Sequence, residues 1–503
     1  MEACMHASGG VGRKLLHVCL CLSFGFALSP ALVNTGSAQD IPIYDRGVLD
    51  DLGEFDLDDA RFPDVFKRGQ DLFSARFNIQ DGQGRPATTG GGAPRDPNQP
   101  DFIRTSGPDS NSCFSCHNDP RSGGAGDFAV NVFVLAQTLD PVTESVSADF
   151  SNERNTVGMH GAGPIEMLAR EMTAALHAIR DAALQEAAQT QLPVRRELLA
   201  KGVQFGFVTA MPNGKIDPSE IDGVDWDLII KPFHQKGAVV SLREFTNNAM
   251  NHHHGMQSTE RFGTDTDPDA DGVMNELTED EITAVTIYQA ALGTPGRNYS
   301  RNRQRFNDAR EGEKIFADIG CTECHVAEMV LDDPVFTEPN PYNPSGNLQR
   351  GDEPVFSFDM TRRGERPRLK RVRGGGAVVQ AFTDLKRHNL NDEELTFFAN
   401  EKVPQGMMNG FADPDDFTIE PTPRPTEEFL TRKLWDAGNT APYGHRGDLT
   451  TLSEAIYYHG GDARASRDAF LALEDNQQEL VIEFLYCLQI LPETPRLVIR
   501  SAP

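Results

Sequence analysis

The sequence predicts a mainly α-helical chain made of two similar modules, a helical middle insertion and long irregular loops. Two short helical patterns, Arg68–Phe73 and Arg310–Phe316, share the same order of charged and apolar residues, which indicates an internal repeat. A longer pattern runs from Pro164 to about Gln191, with proline at the first helical position and apolar residues at helical spacing. The last predicted helix ends before Pro492.

The segments between these helices are predicted to be irregular. Residues 82–109 are rich in Gly, Pro and Asp, and residues 331–380 are rich in Pro, Gly and Arg, compositions typical of surface loops. Two short strand-like pieces, Leu228–Ile230 and Ala238–Val240, lie in the middle section. We therefore expect much irregular structure around a helical core.

Each short helical pattern leads to a Cys-x-x-Cys-His motif, Cys113–His117 and Cys321–His325. Two thiols at this spacing can each form a thioether to a haem vinyl group, and the next imidazole then reaches the iron. A zinc ribbon built from both cysteine pairs is the alternative. The two motifs start 208 positions apart and both end in histidine, which favours two haem c groups. The predicted attachment and ligand residues are Cys113, Cys116, His117, Cys321, Cys324 and His325.

The first 38 residues are predicted to be a signal peptide. Arg13 and Lys14 precede an apolar run from Leu15 to Val33, and small residues before Gln39 offer a cleavage site. A retained membrane helix is the alternative, but turn-forming residues interrupt the run and no long apolar run follows. We expect export to the periplasm and no stable membrane insertion.

Charge and cysteine content narrow the function classes. The formal net charge of -28 argues against nucleic acid or an anionic membrane surface as a partner. Of eight cysteines, three lie in the predicted signal peptide and four in the Cys-x-x-Cys-His motifs. The remaining Cys487 lies in an apolar helical pattern, so no disulfide framework is expected.

These observations predict four segments. Residues 1–38 are the signal peptide, and residues 39–160 are an N-terminal haem c domain. Residues 161–300 are a helical insertion packed on that domain, and residues 301–503 are a C-terminal haem c domain.

An acidic loop in the insertion matches the first half of an EF-hand calcium loop, with oxygen-bearing side chains at alternate positions and then Gly272. Counted from Asp267, the twelfth residue is Thr278 instead of the expected glutamate. A solvated acidic turn before the next helix is the alternative. The predicted calcium ligands are Asp267, Asp269, Asp271, Asn275 and Glu279.

The segment Ala441–Ala455 resembles the bacterial di-haem cytochrome c peroxidases, in which a Pro-Tyr-x-His-x-Gly stretch leads into a Leu-x-Glu-Ala helix. Gly161–Arg170, Lys236–Phe245 and Tyr458–Gly461 are similar to the wider di-haem oxidoreductase family. The resemblance spans roughly residues 60 to 500. It implies two cytochrome c-like domains packed face to face, with electrons passing from the C-terminal haem to an N-terminal haem that meets the oxidant.

The resemblance also implies ligands and acid–base residues. In the peroxidases the second ligand of the C-terminal haem is a methionine fourteen residues after the histidine of the Pro-Tyr stretch; here, counted from His445, that position holds His459. The segment around Glu166 resembles the Glu-Met segment that supplies their acid–base glutamate. His160 and Arg170 lie beside it, and an ordinary first-turn glutamate with a surface ion pair is the alternative.

The distal ligand of the N-terminal haem is left open. The peroxidases carry a displaceable histidine soon after the first motif, but no histidine lies between His117 and His160. His252, His253 and His254 point in different directions on a helix, so one of them could serve as that ligand or bind a metal. The role of each is unassigned.

The sequence as a whole predicts a periplasmic di-haem oxidoreductase similar to cytochrome c peroxidase. Its expected partners are a small redox donor protein, a cytochrome c or a cupredoxin, and hydrogen peroxide or another small oxidant. One alternative is a di-haem oxygenase or oxidase acting on an organic substrate. The other is a non-enzymatic electron carrier, which would not need so long a chain. The physiological substrate, the donor and the oligomeric state do not follow from the sequence.

Overall fold

The computed structural model describes residues 46–83, 110–126, 129–132, 152–267, 271–395 and 427–492. The predicted signal peptide and Asp269 lie outside these ranges. Within them, every helix is too short or too polar to span a lipid bilayer.

Eleven α-helices lie in the described residues, joined by single turns of 3₁₀-helix. The α-helices are α1 Val48–Leu52, α2 Phe62–Ser74, α3 Cys113–Cys116, α4 Ala162–Thr190, α5 Leu242–His252, α6 Thr259–Phe262, α7 Glu279–Ala290, α8 Arg303–Asp318, α9 Leu452–Tyr457, α10 Arg464–Leu471 and α11 Asp475–Tyr486. The 3₁₀ turns are Ile79–Asp81, Cys321–Glu323, Ala437–Asn439 and Gly461–Ala463.

Fourteen short β-strands lie in the same residues and form six small sheets. The strands are β1 Ala129–Val132, β2 Asn152–Asn155, β3 Val194–Ala200, β4 Val203–Ala210, β5 Ile216–Asp217, β6 Gly296–Arg297, β7 Met329–Leu331, β8 Val335–Glu338, β9 Phe356–Asp359, β10 Lys370–Arg371, β11 Ala377–Val379, β12 Arg387–Asn389, β13 Glu428–Leu430 and β14 Leu488–Gln489. The three-stranded sheets have the orders β3-β4-β5 and β10-β11-β7, and the other four sheets are antiparallel pairs.

The prediction of a mainly α fold with a helical middle insertion is wrong. The structure mixes helices with many small antiparallel sheets, and one of these, β3-β4-β5, lies inside the predicted helical insertion. Most of the strands have two to four residues, and so few residues show no clear two-residue periodicity in a sequence. The segment 331–380, predicted to be a loop, therefore contains the four strands β8 to β11.

The hairpin of β3 and β4 is the longest strand pair in the described residues. Lys201 and Gly202 connect the strands, both with positive φ (47° and 84°), as a tight two-residue hairpin turn requires. The inner face contributes Leu198, Phe205 and Val208, all fully buried, to the main core. This sheet covers one side of α4.

The long helix α4 confirms the predicted apolar spacing. Ile165, Leu168, Met172 and Leu176 are buried along one side of the helix. After Leu176, most residues of the helix that do not face the core are exposed. The first half of α4 is therefore part of the main hydrophobic core of the described residues.

The two predicted repeat segments occupy equivalent positions in the structure. Each leading helix, α2 or α8, crosses a second helix, α7 or α11, at a glycine. A methyl group on Gly69 would overlap the carbonyl oxygen of Ala284, and one on Gly312 would overlap that of Leu480. In both pairs, therefore, glycine allows the two backbones to approach closely.

The equivalence extends to the motif histidines. One turn after the glycine, Phe73 lies 6.4 Å from the His117 ring at an interplanar angle of 49°. In the second copy, Phe316 lies 6.2 Å from the His325 ring at 48°. The sequence repeat is therefore a repeat of three-dimensional geometry around each Cys-x-x-Cys-His motif.

The glycine contact gives a stability prediction. Gly312→Ala is expected to lower the free energy of unfolding by about 1–3 kcal/mol, because the new methyl group would force α8 away from α11. Urea unfolding followed by circular dichroism measures the change. Glu311→Ala, at the neighbouring exposed position, is the matched control and should change stability little. Equal effects of the two substitutions would contradict the proposed steric role.

Candidate functional site

A single large cavity joins the two Cys-x-x-Cys-His motifs. Its lining includes His117 from the first motif and Cys321, Cys324 and His325 from the second. Other walls come from the segment 155–159, from the start of α4, and from the segment 429–437 between the motifs. The repeat thus brings both motif histidines to one space, although their positions in the chain are far apart.

The motif histidines are held in the same way. The His117 Nδ1 lies 3.2 Å from the Gly124 carbonyl oxygen, and the His325 Nδ1 lies 3.1 Å from the Phe382 carbonyl oxygen. A ring that donates its Nδ1–H to a carbonyl keeps Nε2 as the metal-binding nitrogen. Burial lowers the pKa of each histidine to about 4, so both rings are neutral at pH 7, as iron ligation requires.

His459 shows the same arrangement at the second motif. Its Nδ1 lies 2.8 Å from the Ala455 carbonyl oxygen at the end of α9, and burial lowers its pKa. It lines the cavity and lies close enough to His325 to contribute to the lowered pKa of that residue. His325 and His459 can therefore hold one iron between two neutral imidazoles.

None of the four motif cysteines forms a disulfide. Cys113 and Cys116 are the first and last residues of the single-turn helix α3, whereas Cys321 begins the equivalent 3₁₀ turn and Cys324 directly follows it. Burial raises the pKa of Cys113 and of Cys321 to about 12. One turn between the thiols is the spacing that two thioether links to a haem need.

Two cations line the cavity between the motifs. The Lys433 ammonium donates to the Gly158 carbonyl at 2.7 Å, and the nearby Asp436 carboxylate favours its charged form. Burial lowers its pKa to about 8. Arg432 lies 3.5 Å from Asp436. Cations in this position suit the carboxylate groups of haem, and the whole donor set therefore fits two haem groups.

A second polar cluster lies beside Cys324. The His388 Nε2 lies 2.7 Å from the buried Asp384 carboxylate and its Nδ1 lies 3.7 Å from Asp462. Burial lowers the pKa of His388, but hydrogen bonds to Asp384 and Cys324 outweigh this effect and raise the pKa to about 10. Cys324, Asp384 and His388 could together ligate a metal ion. That use would exclude the attachment of haem through the same cysteine.

The predicted acid–base residues lie behind the cavity wall. Ile165 and Leu242 line the cavity, but Glu166 does not, and its carboxylate is fully buried. The Asn340 amide donates to one of its oxygens at 2.7 Å, and the Leu242 amide donates to the other at 2.8 Å. Arg170 pairs with Glu166 and donates to Glu338 at 3.1 Å. The structure thus joins Glu166 and Arg170 in a buried ionic network, and their acid–base role stays a prediction.

His160 is also engaged away from the cavity. The His160 Nδ1 lies 3.0 Å from the Gly293 carbonyl oxygen, and its Nε2 lies 3.1 Å from that of Ser122. Burial lowers its pKa to about 3, and nearby Arg121 adds to this. The neutral ring has one N–H to donate to these carbonyls, and the Arg121 guanidinium lies 3.4 Å from its Nδ1. His160 does not line the cavity.

The buried network predicts a pH effect on stability. Burial, with the nearby Glu166 carboxylate, raises the pKa of Glu338 to about 7 from an ordinary 4.5. Between these values the folded protein holds a proton that the unfolded chain has lost, so stability falls as pH rises through this window. The contribution is about 3 kcal/mol. Urea unfolding from pH 4 to 8 should show a weaker fall for Glu338→Gln, whereas exposed Glu311→Gln should match the wild type. Equal slopes for Glu338→Gln and wild type would refute this assignment.

The histidine run after α5 lies at the first motif. The His254 Nδ1 lies 2.9 Å from the Ser110 carbonyl oxygen, and its Nε2 lies 3.3 Å from the Cys113 sulfur. His253 is close enough to His117 to contribute to its lowered pKa, yet it does not line the cavity. The side chain of His252 is outside the described part of the structure. His254 therefore lies at the cysteine edge of the first site.

The predicted calcium loop is held by its own backbone. The two oxygens of Asp267 accept hydrogen bonds from the amides of Asp271 and Gly272 at 3.2 and 3.0 Å. Asp271 accepts from Val273, the Asn275 side chain pairs with Asp265, and Glu279 begins α7. Asp269 lies outside the described residues. Calcium binding stays a prediction.

Three cavity-lining residues were missed by the sequence analysis: His234, His388 and Lys433. None belongs to a recognisable motif, and each reaches the cavity only through long-range folding. Lys433 lies two positions before Trp435, one of only two tryptophans in the sequence, and that rare residue could have drawn attention to this segment. The Trp435 ring itself packs on Gly161 and is outside the cavity lining.

Comparison with known proteins gives a family match to part of the chain. Residues 389–488 match the model of the family described as "Di-haem oxidoreductase, putative peroxidase". The matched region contains His445 and His459. The resemblance inferred from the sequence is thereby confirmed for the C-terminal region, and haem is the cofactor that this family implies.

Individual relatives are more distant. A stretch of 105 residues is 30% identical to the cytochrome-c peroxidase IdrP2 of Denitromonas iodatirespirans, covering 21% of this chain and 28% of that protein. Hydrazine synthase of Kuenenia stuttgartiensis aligns over 94% of this chain and all of its own, with 14% identity and a TM-score of 0.34. A MauG-like protein associated with microbial copper homeostasis aligns over 55% and 77%, with 17% identity and a TM-score of 0.27.

Proposed function

We propose that the protein is an exported di-haem c-type oxidoreductase that reduces hydrogen peroxide with electrons from a small donor protein. Each Cys-x-x-Cys pair attaches one haem covalently, with His117 and His325 as the proximal ligands. The family match, the cavity that joins both motifs and the neutral motif imidazoles support this proposal. The periplasm is the compartment in which such a protein would work.

The observation that carries the proposal is the unequal lining of the cavity at the two motifs. His459, which lines the cavity and keeps Nε2 for a metal, is paired with His325. Two imidazoles on one iron make a closed, low-spin centre suited to electron transfer. Near His117, the His254 Nε2 faces the Cys113 sulfur and both His160 nitrogens face carbonyl oxygens, so neither histidine repeats the arrangement of His459. A peroxide needs such an open iron face.

The electrons would therefore enter at the second haem and leave at the first. When bound, the haems supply the redox-active iron for reductive cleavage of the O–O bond. Lys433 and Arg432, which line the cavity, would bind the haem carboxylates, and the apolar residues of α4 and α5 in its wall would exclude water. The overall change is one peroxide, two electrons and two protons converted to two waters.

Electron paramagnetic resonance of the half-reduced protein, before and after hydrogen peroxide, tests this proposal. A high-spin ferric signal that disappears with peroxide, together with turnover of a reduced donor cytochrome, is the expected result. Only low-spin signals that peroxide does not change would contradict it and favour an electron carrier. An oxidised organic product formed without a donor would contradict it in favour of an oxygenase.

A further inference from the structure

A strongly basic segment lies on the surface of this acidic chain. Seven of the twelve residues 362–373 are arginine or lysine and one is glutamate, whereas the whole chain has a formal net charge of -28. We call residues 362–373 the basic segment. Six of its seven cations are exposed: Arg362, Arg363, Arg366, Lys370, Arg371 and Arg373.

Most of this positive charge is not neutralised within the part of the chain that the structure describes. The Asp359 carboxylate pairs with Arg371 and lies 3.4 Å from Arg362. The other four exposed cations form no ion pair with a carboxylate of the described residues: Arg363, Arg366, Lys370 and Arg373. Burial and two of these cations lower the pKa of Arg368. Like charges held this close repel each other, and an anionic partner would relieve the repulsion.

The sheet β10-β11-β7 joins the basic segment to an exposed apolar surface. Lys370 pairs with Val378, and Val378 with Val330, so these three side chains share one face of the sheet, which we call the outward face. Val330 is 43% exposed. The opposite face is turned to the main core through four buried residues: Met329, Leu331, Ala377 and Val379. The outward face thus has an apolar centre and a cationic border, as a protein-docking surface does.

Two strands of this sheet adjoin the second Cys-x-x-Cys-His motif. Val330 of β7 follows His325 by five residues, so their Cα atoms lie within about 18 Å of each other. Strand β11 ends three residues before Phe382, whose carbonyl oxygen lies 3.1 Å from the His325 Nδ1. A protein seated on the outward face would therefore lie near the second haem.

We propose that the outward face, with the basic segment at its border, is the docking surface for the electron donor, and that this donor is an acidic redox protein. The inference rests on the proposed entry of electrons at the second haem. At each encounter one electron passes from the reduced centre of the donor to the ferric iron of that haem. The partner is then an acidic cytochrome c or an acidic cupredoxin.

The charge distribution favours a small protein over an anionic membrane. The net charge of the whole chain repels an extended anionic surface. A small protein reaches the basic segment at distances comparable to the Debye length, about 8 Å at physiological salt, where local charges dominate. Attraction between two proteins of net negative charge therefore needs a local basic surface such as this one.

Electron exchange with plastocyanin, an acidic cupredoxin, tests the inference. Stopped-flow absorbance measures the second-order rate at which the reduced, haem-loaded protein passes electrons to oxidised plastocyanin, a step that uses the docking surface and needs no peroxide. We expect this rate to fall as ionic strength rises, because salt screens the local attraction. A rate that rises with ionic strength, as repulsion between two acidic proteins predicts, would overturn the inference.

Charge reversal locates the docking surface. Lys370→Glu combined with Arg373→Glu should slow the exchange at low ionic strength by about 10-fold or more, and the difference should disappear in high salt. Lys215→Glu combined with Arg301→Glu is the matched control, since it changes the net charge equally at two exposed positions outside the basic segment. Equal rates for the two double variants would refute docking at this surface.

Val330→Ser tests the apolar centre of the outward face. The exchange should slow roughly 5-fold at every ionic strength, because salt does not screen an apolar contact. The resonance spectrum of the second haem should stay unchanged, which excludes a disturbed fold as the cause. A wild-type rate for Val330→Ser would remove the outward face from the proposed surface.

Two further measurements separate other occupants of the basic segment. A wild-type dimer in sedimentation that Lys370→Glu with Arg373→Glu dissociates would identify a second copy of the chain. Binding to phosphatidylglycerol vesicles that the same variant loses, with an unchanged plastocyanin rate, would identify a membrane. Either result would overturn the inference.

The peroxide reaction separates this inference from the proposed function. If the electron exchange behaves as expected but the protein does not react with peroxide, the proposed peroxide reduction fails and the docking surface stands. If the protein reacts with peroxide but both double variants exchange electrons at the wild-type rate, only the inference fails.

Discussion

Replacing His459 with alanine is expected to convert the second haem from a low-spin to a high-spin centre. The substitution removes one of two imidazoles that we assign to the same iron, and leaves His325 as its only protein ligand. Electron transfer from the donor through this haem should also be lost, because an iron that changes its ligands with each electron must rearrange its coordination at every transfer. Resonance spectra of the oxidised protein measure the change directly.

His459→Met distinguishes ligation from a merely structural role. A thioether in place of the imidazole should keep the haem low-spin but raise its midpoint potential. The rise should be on the order of tenths of a volt, within the range of about 0.8 V that axial ligands span. The control is His445→Gln, since His445 also lines the cavity but packs edge-on against Phe429. A high-spin second haem in His445→Gln, with a normal spectrum for His459→Ala, would reverse the ligand assignment.

Arg243→Met should be among the most destabilising single substitutions in the chain. The Arg243 side chain is fully buried, donates to Glu260 at 2.6 Å and to the Thr283 hydroxyl at 2.8 Å, and lies 3.7 Å from Glu338. Its removal leaves buried carboxylates without their counter-charge, at a cost of about 3–5 kcal/mol. Urea unfolding at pH 7 followed by circular dichroism measures the loss.

An exposed ion pair provides the comparison. Arg305→Met breaks a contact of 2.9 Å with Glu483, but the Arg305 side chain is 58% exposed. Solvent screens such a pair, so the expected cost is about 0–1 kcal/mol. A loss for Arg243→Met no greater than that for Arg305→Met would show that the buried network does not stabilise the fold.

Local patterns explain what could be predicted from the sequence. The spacing of Cys113–His117 and Cys321–His325 is a chemical requirement of haem attachment, and it needs no knowledge of the fold. The apolar spacing of α4 and of the two leading helices is likewise a local signal, because it depends only on which residues share one face of a helix. The position of His459 came from the family resemblance, and the structure places this residue beside His325.

The missed features depend on residues that are far apart in the chain. Glu166 looked like an acid–base residue, but Asn340, 174 positions away, and Arg170 tie it into a buried network. His234 lines the cavity only because the neighbouring Gln235 is hydrogen-bonded to β13. The Val194–Ala210 hairpin, by contrast, was visible in principle, since Lys201–Gly202 is a plausible two-residue turn between alternating segments.

The matched proximal geometry has an evolutionary consequence. Phe73 and His117 in one half repeat the distance and angle of Phe316 and His325 in the other to within 0.2 Å and 1°. Descent from one duplicated ancestral unit would explain this agreement, with divergence confined to the side of each site away from its leading helix. An engineer who wished to exchange the duties of the two halves could then leave both proximal sides untouched and transplant only the residues opposite them.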